Sequence, residues 1–268
     1  MSFITTKDLC ELKKRDEKIT VLTAYDASFT RHLEQAGIEV LLVGDSLGMV
    51  MQGHDSTVAV TMDDMVYHTS MVSRARERAL LIADMPYHSY QNKEQALENA
   101  KRLIKDGGAD MVKFEGAGDL VPIAEHLIKN DIPLCGHLGL LPQSVEELGG
   151  YKVQGREQSA ADKMVQDAQA LVDVGVEIIV LECIPQALAK RITNEVNVIT
   201  IGIGAGKDVS GQVLVLYDLL GITPGKRPKF SKDFLKELGE GKTITDAVKS
   251  YVNAVKDLSF PGEEHSFN

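Results

Sequence analysis

The stretch Ile38-Glu39-Val40-Leu41-Leu42-Val43-Gly44-Asp45-Ser46 decides how the chain folds. An apolar run of strand-forming residues stops abruptly at a glycine, a carboxylate and a hydroxyl. Such a run suits a strand buried on both faces, as the strands of parallel sheets are. Gly44 lets the backbone turn, which leaves Asp45 and Ser46 at the carboxyl end of the strand, where open α/β sheets and barrels place their chemistry.

The pattern recurs on both sides of this stretch. Ile19 to Ala24 predicts a first strand ending at Tyr25-Asp26, and Ser28 to Ala36 a helix stopped by Gly37. Leu80 to Ala83 predicts a third strand ending at Asp84-Met85-Pro86. Asp110 to Gly116 carries Lys113 and Glu115, two residues apart and therefore on one face of a strand. Ile132 to Gly136 ends at His137, and Glu177 to Leu181 ends at Glu182-Cys183. Asn197 to Ile201 runs into Gly202-Ile203-Gly204-Ala205-Gly206, and Gln212 to Leu216 ends near Tyr217-Asp218.

Helical patterns fall between these strands. Thr61 with Asp64 makes a capping-box start for a helix through Arg76; Lys93 to Lys105, Leu120 to Lys129 and the segment from Gln158 to Val174 follow. Thr6 to Arg15, with Thr6 as N-cap, predicts a short amphipathic helix that closes one end of the fold. Phe234-Leu235 and Ile244 to Leu258 are closing helices, and residues 261–268 are expected to form a flexible tail. Two connections are long, Leu138 to Gln158 and Gly48 to Thr61, and the latter is a candidate for function or subunit contact. Eight strands alternating with helices, without a break in composition, predict the α/β class: one (β/α)8 barrel domain over residues 1–268 with a short N-terminal helix. The 268 residues match the roughly 250 of such a barrel.

Composition narrows the function. Hydrophobic residues at 44% and charged residues at 25% describe a globular chain, and the absence of Trp makes its core aliphatic. A formal charge of -10 argues against sequence-independent binding to nucleic acid or an anionic membrane. No apolar run approaches the ~20 residues that cross a bilayer, and Met1 to Lys7 lacks the charged-then-apolar layout of a signal peptide. Three cysteines without metal-ligand spacing suit the reduced thiols of a cytosol. A cytoplasmic enzyme is the expectation.

In a barrel the strand ends converge, so Asp45, Asp84, Lys113, Glu115, His137 and Glu182 should approach one site. Any one of them could be an ordinary loop residue or helix cap. Four carboxylates at one mouth, however, repel one another unless a cation offsets them. Asp45, Asp84 and Glu115 are hard oxygen donors of the sort Mg²⁺ takes, and no zinc-type spacing is present. Lys113 has two readings, an electrostatic clamp for an anionic substrate or a Schiff-base nucleophile; acids around it would keep it protonated and favour the clamp. Glu182 is the best general-base candidate, because the other carboxylates are committed to metal. His137 could orient substrate or be structural. Cys183 is read as a small buried residue, and Gly202 to Gly206 as a tight βα turn, since the string lacks the third glycine of a dinucleotide fingerprint.

A family resemblance joins these residues. Thr23-Ala24-Tyr25-Asp26, Val43-Gly44-Asp45-Ser46-Leu47-Gly48, Ala83-Asp84-Met85-Pro86, Val112-Lys113-Phe114-Glu115-Gly116, Gly136-His137-Leu138-Gly139-Leu140, Pro142-Gln143-Ser144, Gly150-Tyr151-Lys152-Val153-Gln154-Gly155 and Ile201-Gly202-Ile203-Gly204-Ala205-Gly206 resemble the ketopantoate hydroxymethyltransferase family, in order and over nearly the whole chain. The resemblance implies a Mg²⁺-dependent barrel that moves a one-carbon unit from 5,10-methylenetetrahydrofolate to 2-oxoisovalerate (3-methyl-2-oxobutanoate), making ketopantoate for pantothenate and coenzyme A.

It further implies a metal site at Asp45, Asp84 and Glu115, substrate contacts at Ser46 and Lys113, Glu182 as proton acceptor, and a homo-oligomer, a decamer; Asp45, Asp84 and His137 are expected to contact the substrate as well. The chain departs from the family pattern at Ser210, Ala117, Leu141 and Tyr217, which leaves the folate-side contacts open. The rivals are a Mg²⁺-dependent lyase or mutase that forms a 2-oxo acid enolate without folate, and a noncatalytic barrel that binds a 2-oxo acid.

Overall fold

Eight parallel strands follow one another around a closed barrel in sequence order. They are β1 (Ile19–Thr23), β2 (Val40–Val43), β3 (Leu80–Asp84), β4 (Met111–Glu115), β5 (Leu134–Gly139), β6 (Ile178–Glu182), β7 (Ile199–Ile203) and β8 (Gly211–Leu214). The computed structural model describes residues 2–145, 150–225 and 227–268. Helix α1 (Thr6–Lys14) precedes the barrel, and α2 (Ala27–Ala36) follows β1. A four-residue turn of helix, α3 (Leu47–Val50), and then α4 (Met62–Ala75) follow β2. Next come α5 (Lys93–Lys105) after β3, α6 (Val121–Ile128) after β4, α7 (Gln158–Asp173) after β5 and α8 (Gln186–Glu195) after β6. The chain ends with α9 (Leu216–Leu219), α10 (Phe234–Leu238) and α11 (Ile244–Lys256).

Alternation along each strand divides the core in two. Outward residues such as Leu41, Leu81, Val112, Ile179 and Leu181 pack under the helices with Leu33, Val72, Leu103, Leu171 and Ile192. Inward residues form a second cluster: Ile19 and Val21 from β1, Val40 and Leu42 from β2, Leu80 and Ile82 from β3, and their counterparts around the ring. Every second residue of a strand faces the same way. Continuing the inward series past Ile82, Met111, Cys135 and Val180 therefore leads to Asp84, Lys113, His137 and Glu182 at the carboxyl ends. The lower layers of the barrel are apolar, and its top layer is charged.

The lower opening is closed by α1, whose Leu9 is fully buried in the inward cluster. A void of only about 10 Å³ remains inside, lined by Leu9, apolar strand residues and Lys113.

Several boundaries differ from the sequence expectation. Thr5, not Thr6, caps α1: its hydroxyl accepts from the Asp8 amide while Asp8 accepts from the Thr5 amide, and the Thr6 hydroxyl is free to donate to Glu177. Strand β5 continues through His137 to Gly139, because its register runs on beside β6. Of the loop expected from Leu138 to Gln158, residues 146–149 lie outside the described residues. Helix α8 has no counterpart in the expected elements, although Leu188, Ala189 and Ile192 are buried along one face of it.

Gly204 to Ser210 joins β7 directly to β8 without a helix, so the expected tight βα turn is a strand-to-strand turn. Gly211 pairs with Ile201, only two residues before the end of β7, so the chain has little height to recover. The last residues, expected as a flexible tail, pack on the barrel: Ser266 is buried, the Phe267 carbonyl accepts from the Gln186 amide at 2.9 Å, and Asn268 accepts from the Gln186 side chain at 2.8 Å.

Because Leu9 fills the lower end of the barrel, Leu9→Ala should lower stability by about 2–5 kcal/mol through lost burial and a residual cavity. Urea unfolding checks this. A loss below 1 kcal/mol would mean that α1 is not a structural plug.

Candidate active site

Four consecutive strands supply the charged layer. The register sets Asp84 beside Lys113 and Glu115 beside His137, and Gly139 of β5 lies beside Glu182. Lys113 Nζ is 3.0 Å from Asp84 Oδ1 and 3.9 Å from Glu115 Oε1. His137 bridges two carboxylates, with Nδ1 3.2 Å from Glu115 Oε1 and Nε2 3.2 Å from Glu182 Oε2. Asp84, Lys113, Glu115 and His137 are buried, whereas the Glu182 side chain keeps 12% exposure. The structure thus gathers five of the residues expected from sequence into one contact network.

Asp45 and Ser46 join it from the end of β2. The Asp45 amide donates to Asp84 Oδ2 at 3.1 Å, and the Ser46 hydroxyl lies 2.9 Å from that of the buried Tyr25. Gly44 matters here for space: a Cβ would fall 2.8 Å from Ser46 Oγ and 3.5 Å from Asp84 Oδ2.

The titration behaviour follows from this crowding. Burial pushes Asp45 well above the ordinary aspartate range, and the Asp84 and Glu115 charges push it further. Burial also raises Asp84, against the opposing pull of Lys113. Burial works against the Lys113 ammonium, yet the Asp84, Glu115 and Asp45 charges overcome it and hold Lys113 above its usual value, as a cation. Burial acts to raise Glu115 too, but contact with His137, the Lys113 charge and the Gln143 amide leave it lowered. Burial and Lys113 oppose protonation of His137, while Glu115 and Glu182 favour it and raise it to about 9.

Two residues at the site were not expected from its chemistry. Gln143, on the 3-10 turn Pro142–Ser144, donates through Nε2 to Asp45 Oδ2 at 2.7 Å and through its backbone amide to Glu115 Oε2 at 3.0 Å. The Tyr90 hydroxyl donates to Gln143 Oε1. The only sequence signal for Gln143 is its place in the Pro142-Gln143-Ser144 string; nothing in residue type or spacing marks Tyr90.

Cys183 is buried as expected, in a left-handed backbone conformation directly after Glu182. Gly139 has φ +101°, and a Cβ there would stand 2.1 Å from the Glu182 carbonyl oxygen, which accepts from the Leu140 amide at 2.8 Å. The chain after β5 therefore passes tightly over the backbone of Glu182.

The arrangement can hold an anionic substrate against Lys113 and accept a proton at Glu182. Among the described residues, no group of three or more His, Cys, Asp or Glu side chains is gathered closely enough to bind a metal ion alone. Among them, too, no helix is long and apolar enough to cross a membrane.

Comparison with known proteins agrees over the whole chain. The family described as ketopantoate hydroxymethyltransferase matches residues 3–263. A protein of Hahella chejuensis named 3-methyl-2-oxobutanoate hydroxymethyltransferase 2 is 53% identical over 265 residues, covering 99% of both chains. A 3-methyl-2-oxobutanoate hydroxymethyltransferase of Nitrosococcus oceani is 52% identical over 267 residues, covering 100% of both. Among solved structures, 2,3-dimethylmalate lyase, a member of the PEP mutase/isocitrate lyase superfamily, superposes with a TM-score of 0.61 at 15% identity, covering 97% of this chain and 100% of that one. Phosphonopyruvate hydrolase gives a TM-score of 0.61 at 13% identity, covering 81% and 83%. These two share the barrel fold. The chain belongs to the ketopantoate hydroxymethyltransferase family and is an enzyme of the hydroxymethyltransferase type.

The tight passage at Gly139 can be tested against Gly37, which has φ +93° but open space where a Cβ would stand. Gly37→Ala should cost about 1 kcal/mol of backbone strain. Gly139→Ala should cost clearly more in denaturant unfolding, because it adds a clash with the Glu182 carbonyl. Equal costs would show that the chain after β5 relaxes without strain.

Proposed function

We propose that this member of the ketopantoate hydroxymethyltransferase family transfers a hydroxymethyl unit from 5,10-methylenetetrahydrofolate to 3-methyl-2-oxobutanoate, giving 2-dehydropantoate for pantothenate and coenzyme A, with Glu182 as proton acceptor. The observation that carries this reading is the buried cluster of Asp84, Lys113 and Glu115 facing the partly exposed Glu182 across His137. The names of relatives about half identical over their full length support the substrate assignment.

Mg²⁺ fits the residues present. Asp45, Asp84, Glu115 and Glu182 carry four negative charges when ionised, against two positive charges on Lys113 and protonated His137. The remainder equals one divalent ion. Asp84 Oδ1 is buried without a hydrogen bond, though within ion-pair distance of Lys113. A hard ion that keeps waters and substrate oxygens needs only one or two carboxylates. Asp45 and Asp84 would hold it, with Glu115, whose oxygens face His137 and the Gln143 amide, acting through water. Mg²⁺ bound there would serve as a Lewis acid toward the keto oxygen of the substrate.

The chain's own groups do the rest. Lys113, a cation, clamps the substrate anion and forms no Schiff base. Glu182 takes the single C3 proton of 3-methyl-2-oxobutanoate, and the electron pair left on C3 forms the new bond to the methylene carbon of the folate. Both bonds from that carbon to the two folate nitrogens break, water supplies the hydroxyl oxygen, and the C3 proton and one proton of that water end on the nitrogens. His137, held between Glu115 and Glu182, orients the base. The same reading includes a homo-oligomeric cytoplasmic enzyme, a decamer; exposed Met49 and Met51 in the connection after β2 support a subunit contact there.

Two measurements test this function. Excess EDTA should abolish formation of 2-dehydropantoate, Mg²⁺ should restore it, and Asp84→Asn should weaken metal-dependent substrate binding; full turnover in EDTA would refute the metal. Glu182→Gln keeps shape but removes the base. Turnover and C3 proton exchange in heavy water should then both fall about 10²- to 10⁴-fold, with substrate affinity changed much less. Exchange at the wild-type rate in this variant would make Glu182 structural, and conversion of the 2-oxo acid to a different product without the folate would favour a lyase or mutase.

A further inference from the structure

Gln143 is buried, and its side-chain amide and backbone N–H end on the site. Nε2 donates to Asp45 Oδ2 at 2.7 Å and to the Met85 carbonyl at 3.0 Å, and the backbone amide donates to Glu115 Oε2 at 3.0 Å. Oε1 accepts from the Tyr90 hydroxyl, whose oxygen in turn accepts from the Glu115 amide at 3.4 Å.

These partners settle which way the amide points. A backbone carbonyl can only accept, so the Met85 carbonyl requires the amide nitrogen on its side, and Asp45 Oδ2 lies on that side too. The Tyr90 hydroxyl, tied from behind by the Glu115 amide, is left to donate to Oε1. Neither end of the amide can turn without leaving buried donors and acceptors unpaired, which is costly in the interior.

One glutamine thus occupies one oxygen of Asp45 and one of Glu115. The second oxygen of Glu115 faces His137 and Lys113. On Asp45 this leaves Oδ1 as the oxygen without a hydrogen bond among the described residues, as Asp84 Oδ1 is too, so the free oxygen of Asp45 is preselected. Asp45 stands on the turn after β2 and Gln143 on the turn after β5, so the bond also joins two loops that enter the site from different sides of the barrel.

We propose that Gln143 is a positioning residue for the reaction: it locks Asp45 in one rotamer with Oδ1 toward the ligand, and Tyr90 locks Gln143. The inference rests on the functional reading above, in which Asp45 meets Mg²⁺ and the 2-oxo acid. Groups that orient the ligands of a metal typically change its affinity about 10- to 100-fold when altered.

The test uses Gln143→Met, which keeps length but removes the amide, and Tyr90→Phe, which keeps the ring against Phe114 but removes the hydroxyl. Calorimetry would measure binding of 3-methyl-2-oxobutanoate in the presence of Mg²⁺, and heavy-water exchange would follow the C3 proton at saturating substrate. Gln143→Met should weaken binding about 10- to 100-fold, and Tyr90→Phe should do so to a smaller extent. Both should exchange at close to the wild-type rate once saturated, because Glu182 is untouched. Unchanged affinity in either folded variant would overturn the assignment, as would exchange at saturation that falls as far as affinity. Should Gln143→Met fail to fold, Tyr90→Phe decides alone. A wild-type enzyme that does not bind the 2-oxo acid with Mg²⁺ would overturn the functional reading itself, and this inference with it.

Discussion

A lysine buried among three carboxylates is the constraint to which the rest of the structure answers. Lys113 lies 3.0 Å from Asp84 and 3.9 Å from Glu115, with all three out of solvent. Removing such ions from water costs several kcal/mol each, and pairing them offsets that cost only where the geometry is good. The cluster is therefore not what holds the barrel together. The apolar lower layers must do so, which explains why the lower inward positions of β1, β2 and β7 are aliphatic and why Leu9 closes the far end. Stability and chemistry are separated along the barrel axis by a step of two residues along each strand: Ile82 below Asp84, Met111 below Lys113, Val180 below Glu182.

The charge balance is left incomplete, and Asp45 carries most of the consequence. It stands beyond the end of β2, is buried, and faces Asp84 and Glu115 with Lys113 as a more distant counter-charge, so its ionised form is strongly disfavoured. Relief can come from a proton or from a cation, and the oxygen donors favour a hard cation. Preset dipoles and charges in a dry site need no rearrangement when charge develops during a reaction, which makes them more effective than water. The hydrogen bonds from Gln143, the Asp45 amide and the Leu140 amide serve that fixity, since each ties a carboxylate or the backbone behind one to a neighbouring loop or strand.

Much of this was legible in the sequence because a parallel barrel turns a local pattern into a spatial one. An apolar run ending in Asp84, His137 or Glu182 specifies both a strand and the end of the barrel at which the residue emerges. Spacing of two likewise placed Lys113 and Glu115 on one face. What could not be read depends on contacts between distant segments. Gln143 and Tyr90 are ordinary polar residues until β4, β5 and the turns beyond them come together. The direct turn from β7 to β8 follows from the stagger of the strands, which residue type does not encode. Helix α8 was legible in principle, since Leu188, Ala189 and Ile192 share a helical face, but it opens at Pro185 without a capping side chain, so no start signal marked it. The end of the chain looked like a tail because its few apolar residues gain meaning only where Phe267 meets the barrel beside Gly204.

The position of Glu182 at the edge of the cluster has a physical reason under the proposed reaction. A carboxylate in direct contact with Lys113 is stabilised as an anion and is a poorer base. Among the described residues Glu182 touches the network through His137, outside ion-pair distance of Lys113, and keeps some exposure. When it accepts the C3 proton, one negative charge leaves Glu182 and appears on the substrate enolate. The net charge of the site is unchanged, but the charge has moved toward Lys113 and the carboxylates that favour a divalent ion. Interactions that strengthen as charge moves lower the barrier, whereas those equal in ground and transition states do not. His137 remains paired with Glu115 after Glu182 is neutralised, so the imidazole is not stranded as an unpaired buried cation.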